Sequence, residues 1–135
     1  MTHFRINEAA ALLGVSDDTV RRWIDAGTLA ARTADEGGRT VVDGADLAAL
    51  AVERARTPDD PDAGRTSARN RFVGLVTAIT TDTVMAQVEL QCGPFRVVSL
   101  MSSEAVRELG LEVGSRAVAV VKATTVVVET TGGSR

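Results

Sequence analysis

Ten residues near the middle of the chain, Thr57-Pro58-Asp59-Asp60-Pro61-Asp62-Ala63-Gly64-Arg65-Thr66, limit what it can fold into. Two prolines, a glycine and three aspartates disfavour helix and strand alike and offer little apolar surface to bury. The stretch is predicted to be a linker over residues 57–66, leaving a domain over 1–56 and another over 67–130. Each piece is short and must close a small core of its own. Texture changes across the break. Ala/Leu-rich helical spacing precedes it and Val/Thr-rich alternation follows, so the expected fold is α+β with two domains.

Composition excludes several classes. Hydrophobic residues make up 44% and charged ones 24%, which is globular rather than disordered. Aromatics are 3%, so the cores must rest on Val, Leu, Ile and Ala. The net charge of −3 gives no basic footprint along the whole chain, and any nucleic-acid contact needs a local cluster. Cys92 stands alone, which rules out a disulfide framework or a Cys-rich metal site. With one His, no Tyr, and neither paired carboxylates nor metal-spaced ligands, an enzyme is not expected. The opening Met1-Thr2-His3-Phe4-Arg5 lacks an apolar signal core, and no apolar run reaches spanning length. The expectation is a cytoplasmic protein with no membrane partner.

Before the linker, Asn7 is expected to cap a helix over 8–13 that stops at Gly14. Ser16 caps a second helix over 17–26, with Asp17 and Asp18 in its first turn, and Gly27 ends it. Val20, Trp23 and Ile24 share one face and read as core, leaving Asp18, Arg21, Arg22 and Asp25 outward. The turn Leu13-Gly14-Val15-Ser16 has helix-turn-helix length. Asp35-Glu36-Gly37-Gly38 and the strand at 39–42 make an expected wing, and Asp43 caps a third helix over 45–56 with Leu47 and Leu50 inward. As a DNA reader, the second helix would enter the major groove. Arg21 and Arg22 would reach phosphates or guanine edges, Ser16 and Thr19 would donate to phosphates, and Arg39 would touch backbone or minor groove. The alternative is a solvated face in which Asp18 and Asp25 pair with the arginines. Phe4-Arg5-Ile6-Asn7-Glu8-Ala9-Ala10-Ala11-Leu12-Leu13-Gly14-Val15-Ser16, with Thr19-Val20-Arg21-Arg22-Trp23-Ile24 and Gly27-Thr28-Leu29, resembles the winged helix-turn-helix of MerR-type regulators and phage excisionases. That resemblance implies double-stranded DNA as a partner.

After the linker, strands are expected over 71–80, 84–90, 95–100, 116–122 and 125–129. A short helix capped by Ser103 is expected over 104–109 and closed by Gly110. Five strands with a helix between the third and fourth is the order of an OB-like β-barrel. A tail at 131–135 is expected to fray. Lys122 stands in an otherwise apolar run, and Ser67, Arg69, Ser99 and Ser102 are further donors. A divalent oxyanion removed from water needs donors at most of its oxygens and offsetting charge, and these residue types supply both. Taken singly, each has a plainer role as a surface group, a strand-edge lysine or a helix cap.

Ser67-Ala68-Arg69-Asn70, Val73-Gly74-Leu75-Val76, Glu104-Ala105-Val106-Arg107-Glu108-Leu109-Gly110-Leu111 and the run Gly114-Ser115-Arg116-Ala117-Val118-Ala119-Val120-Val121-Lys122-Ala123-Thr124 resemble molbindin, the TOBE-type molybdate-binding domain. The resemblance implies an OB-like barrel paired by strand exchange, with molybdate or tungstate held where two chains meet. It assigns the family's opening serine and arginine to Ser67 and Arg69 and its lysine to Lys122. It also implies backbone donors around that lysine, Val121 and Ala123 included, and hydroxyls from Ser99 and Ser102 of a partner chain. The stretch Ser99-Leu100-Met101-Ser102-Ser103 departs from the pattern, so Ser102 and Ser103 compete for one role. Molybdate-responsive regulators of the familiar type carry two such barrels, whereas one is legible here. The implied assembly is a homo-oligomer, a dimer at least and up to a hexamer. Three readings stay open: an oxyanion-responsive DNA-binding transcriptional regulator, a molybdate or tungstate storage or homeostasis protein with an accessory helix-turn-helix, and a constitutive DNA-binding protein whose barrel only oligomerises.

Overall fold

The computed structural model describes residues 2–34 and 37–131. Asp35 and Glu36 of the expected turn, and residues 132–135 of the expected tail, lie outside the described residues. The chain divides into two compact units, Met1–Arg56 and Thr57–Arg135. Among the described residues no helix is long and apolar enough to cross a membrane.

The first unit runs β1 (His3–Arg5), α1 (Ile6–Leu13), α2 (Asp17–Asp25), β2 (Ala31–Thr33), β3 (Thr40–Asp43) and α3 (Gly44–Arg54), with the strands in the order β1-β3-β2. Helix α1 starts a residue before the expected cap. Arg5 rather than Asn7 is the N-cap, and its backbone N–H donates to Glu8 Oε1 at 2.8 Å, because strand pairing of His3–Arg5 with β3 sets where the chain turns. Gly14 ends α1 at φ 69°, a left-handed conformation that glycine adopts without strain. Ser16 caps α2 by accepting from Thr19 N at 3.1 Å, and Asp43 caps α3 by accepting from Asp46 N at 3.3 Å. Ala9, Ala10, Val20, Leu29, Val42, Leu47 and Leu50 form the core, with Trp23 and Ile24 packed against it. The Arg54 guanidinium lies over the Trp23 ring, 5.6 Å from its centroid.

The second unit is built on β4 (Asn70–Thr81), β5 (Met85–Cys92), β6 (Phe95–Ser102), α4 (Ser103–Leu109) and β7 (Arg116–Val121). The sheet is antiparallel, in the order β6-β5-β4-β7. The first half of β4 pairs with β7 and the second half with β5, the two ladders meeting at Leu75. A bulge between Val76 and Ala78 curls the strand there. Val76, Ala86, Val88, Leu90, Cys92 and Val106 are the core. Where β4 turns towards β5, Asp82 Oδ1 accepts from Val84 N and Met85 N, both at 2.8 Å, and these bonds hold its carboxyl below the usual carboxylate range.

The expected fifth strand at 125–129 is absent. Ala123–Thr125 is instead a 3₁₀ turn, and residues 126–130 carry no strand pairing. Thr125 supplies the reason: its N–H and its hydroxyl both donate to the Lys122 carbonyl, at 2.9 and 2.8 Å, a local alternative to a ladder. Helix α4 also begins a residue early. Ser102, not Ser103, is its cap, accepting from Ala105 N at 3.0 Å.

The linker differs most from expectation, because it packs on the second unit. Arg71 donates to both carboxylate oxygens of Asp60, at 2.6 and 3.1 Å, and both side chains are largely shielded, at 13% and 12% exposure. Arg116 donates to the Asp59 carbonyl at 2.6 Å. Asp60 meets a cation that the sheet delivers to it, whereas Asp59 is held through its backbone carbonyl alone. The bond from Arg71 holds the Asp60 carboxyl below its ordinary range, and the same bond raises the Arg71 guanidinium.

Two outcomes are expected. A Cβ at Gly74 would collide with the Gln91 carbonyl oxygen and lie 2.7 Å from Cys92 Sγ, so Gly74→Ala should lower the stability of the second unit by roughly 1–3 kcal/mol in denaturant titrations. Asp60 and Asp82 both have depressed native pKa values, so their stabilisation is present above the ordinary aspartate value of about 3.9 and lost as pH falls through the lowered ones. Urea melts of the second unit at pH 7 and pH 3 should show that loss, reduced in Asp60→Asn.

Candidate functional site

On α2 the side chains named from sequence form a connected row. Ser16 Oγ and Thr19 Oγ1 lie 3.0 Å apart, and Arg22 Nη2 donates to Thr19 Oγ1 at 3.2 Å. The N-cap bond therefore fixes Thr19, and Thr19 orients Arg22, whose remaining N–H groups face solvent from an exposed side chain. Arg21 is exposed too, 3.4 Å from Asp18. Such an exposed pair is weak in water. Arg39 is exposed at the end of the β2–β3 connection, where its carbonyl accepts from Ala34 N at 2.7 Å. Arg32, on β2, was not singled out from sequence; it bonds to His3 Nε2.

Two cationic residues of the second unit, Arg69 and Lys122, lie at one corner of the sheet. Asn70 pairs with Val121 at the end of the β4–β7 ladder, so Arg69 and Lys122 are the next residues beyond that pair, one just before β4 and the other just after β7. Asn70 Nδ2 donates to the Val121 carbonyl at 3.1 Å and locks the corner, a role not assigned to it from sequence. Lys122 caps the 3₁₀ turn, and Ala123 opens it, where a leading N–H has no partner within the turn. Ser67 stands two residues before Arg69. Ser67, Arg69, Lys122 and Ala123 are exposed and Val121 is half-buried, so the lysine reaches solvent from its apolar run.

The hydroxyl group of residues is elsewhere. Ser99 and Ser102 lie on β6, at one edge of the sheet, while β7 forms the other edge. Ser99 is opposite Val88, which is opposite Ile79, well along β4 from Asn70. Alternation turns Ser99 inward with Val97 and Met101, whereas Ser102 is exposed at the strand end. Ser103 is 3% exposed and donates to the Asp82 carbonyl at 2.8 Å, which withdraws it from the competition with Ser102. One chain thus carries a cationic half and a hydroxyl half, set apart by strand order.

A shallow cleft in the first unit, between Gly27, Thr28 and Ala30 and the α3 residues Asp46, Leu50 and Glu53, presents carboxylates that repel anions.

Comparison with known proteins matches the same two regions. Residues 66–128 match the TOBE domain model, and residues 4–54 match a helix-turn-helix domain model. The chain is 46% identical over 63 residues to a probable molybdenum-pterin-binding protein of Haemophilus influenzae, covering 46% of this chain and 91% of that protein. It is 40% identical over 67 residues to the molybdenum transport protein ModE of Herbaspirillum seropedicae, covering 49% of this chain but only 25% of that protein. Among solved structures, MopII from Clostridium pasteurianum is 36% identical, with 48% of this chain and 98% of that one covered at a TM-score of 0.46. These relatives point to binding and regulatory families rather than to enzymes. Through its second unit the chain belongs to the TOBE-domain family, and it carries a helix-turn-helix domain ahead of it.

Proposed function

We propose that this protein is a DNA-binding transcription regulator that takes molybdate or tungstate as its effector, with the anion held between copies of the chain. The observation that carries this reading is the Asn70–Val121 pairing, which sets Arg69 and Lys122 side by side in a chain that also has a helix-turn-helix. Two cations offset a divalent charge. Ser67 and the amide at Ala123 add neutral donors, and Ser99 and Ser102 of a second copy complete the shell, Ser102 leading. In water at one exposed corner that attraction is screened; covering the corner with another copy lowers the local dielectric and strengthens it.

Several exposed apolar residues suit such an assembly. Phe95 is 68% exposed, Leu100 on edge strand β6 is 71%, and Val127 and Val128 in the unpaired tail are 82% and 87%. In the assembly the segment 126–130 supplies the fifth strand of a closed barrel by pairing with a neighbouring copy. Ligand that bridges copies favours the oligomer that completes its pocket, and DNA affinity follows by linkage. The first unit acts as a MerR-like winged helix-turn-helix, α2 entering the major groove and the β2–β3 hairpin serving as the wing. Its acids leave modest affinity per copy, which two or more linked copies multiply.

Calorimetry with sodium molybdate tests the site. Arg69→Ala and Lys122→Ala should each lower affinity at least about tenfold, the scale of a lost charge-assisted bond; unchanged affinity in both would remove the assignment. Arg22→Ala should weaken DNA binding in gel shifts and leave molybdate affinity alone. If the intact protein binds molybdate but no genomic fragment, the storage role replaces the regulatory one.

A further inference from the structure

The Asp60–Arg71 ion pair joins two residues eleven positions apart, and the loop it closes contains Ser67 and Arg69. Without the pair, the Ser67–Arg69 segment is held where β4 begins at Asn70 and, on the other side, only by the more distant Arg116 bond to the Asp59 carbonyl. With it, both ends are held closely. Within the loop Asp62 N donates to Asp60 Oδ1 at 3.2 Å, Ala63 N donates to the Asp60 carbonyl at 3.1 Å, and Ala68 N donates to Thr66 Oγ1 at 3.2 Å. Arg116 Nη2 on the Asp59 carbonyl at 2.6 Å pins the entry to the loop. The carboxylate thus receives three donors, two of them from a shielded guanidinium, an arrangement far more ordered than an acidic linker needs.

Order in this loop bears on ligand affinity. A loop loosely held at one end would lose conformational entropy when an anion immobilised Ser67 and Arg69, and a loop already closed loses less. Charge acts in the opposite direction in Asp60→Asn, where the unpaired Arg71 guanidinium would attract the anion, so a loss of affinity there reports the ordering of the loop.

We propose that Asp60 is a positioning residue for the anion site, acting through Arg71 to hold the Ser67–Arg69 segment ready for ligand. The inference rests on the anion-binding reading above. It assigns the linker a part in recognition.

The test is calorimetric titration of the full chain with sodium molybdate, with folding followed by circular dichroism. Asp60→Asn should lower affinity about five- to thirtyfold, the range that 1–2 kcal/mol of lost preorganisation spans, with the fold retained. Adding Ser67→Ala to Asp60→Asn should cost less than Ser67→Ala alone, because the loop is already released. Adding Ser102→Ala, on β6 and outside the loop, should cost its full separate amount. A purely structural residue would treat the two serines alike. Wild-type affinity in Asp60→Asn, or equal additivity with both serines, overturns the proposal. If Asp60→Asn unfolds, the reversed pair D60R/R71D decides: affinity recovered with the fold supports it, and fold without affinity, or no fold in either variant, overturns it. Failure of the unmodified protein to bind molybdate would instead strike the anion-binding reading itself.

Discussion

The second unit depends on one long strand serving two partners. β4 gives its first half to β7 and its second half to β5, and at Leu75 it faces Gln91 on one side and Arg116 on the other. A twelve-residue strand cannot do this flat, so the bulge at Val76/Ala78 bends it and Gly74 admits the close approach of Gln91 and Cys92. The same division leaves the start of β4 paired only with β7. That pairing brings Arg69 and Lys122 to one corner, from positions more than fifty residues apart in the chain.

Location decides what such a corner can do. Two cations in open water hold a divalent anion weakly, since exposed charges are screened within a Debye length of about 8–10 Å. In the proposed assembly, covering the corner strengthens the attraction and brings in the hydroxyls that strand order keeps away in a single chain. In that assembly the pocket and the oligomer would form together, which would make ligand an effector rather than a passenger. The exposed apolar residues on β6 and in the tail are the surface through which copies would meet.

The first unit handles its charges differently. Its net charge of −2, from seven arginines against nine acids over residues 1–56, gives no broad attraction for nucleic acid. What it has is order: Ser16 fixes Thr19, and Thr19 fixes Arg22, so a guanidinium on the exposed face of α2 is aimed before any contact is made. The tether between the units is also shorter than its composition suggested. Only residues 55–58 separate the end of α3 from the docked Asp59.

Much of this was legible from sequence. Helical spacing of Val20, Trp23 and Ile24, capping at Ser16 and Asp43, and alternation from Arg71 onward are local patterns, and local patterns show themselves within a few residues. The sequence by itself determined two units, a helix-turn-helix, a Val-rich antiparallel sheet, and the residue types suited to an anion. Only the tertiary structure decided where those residues stand, because that depends on pairing between distant segments. Asn70 meets Val121, Ser103 turns inward to Asp82, and an aspartate that read as solvated linker is closed onto Arg71. The missing fifth strand has the same origin. Val126–Val128 read as a strand by composition, but a strand is a relation between two segments, and among the described residues these three have no pairing partner.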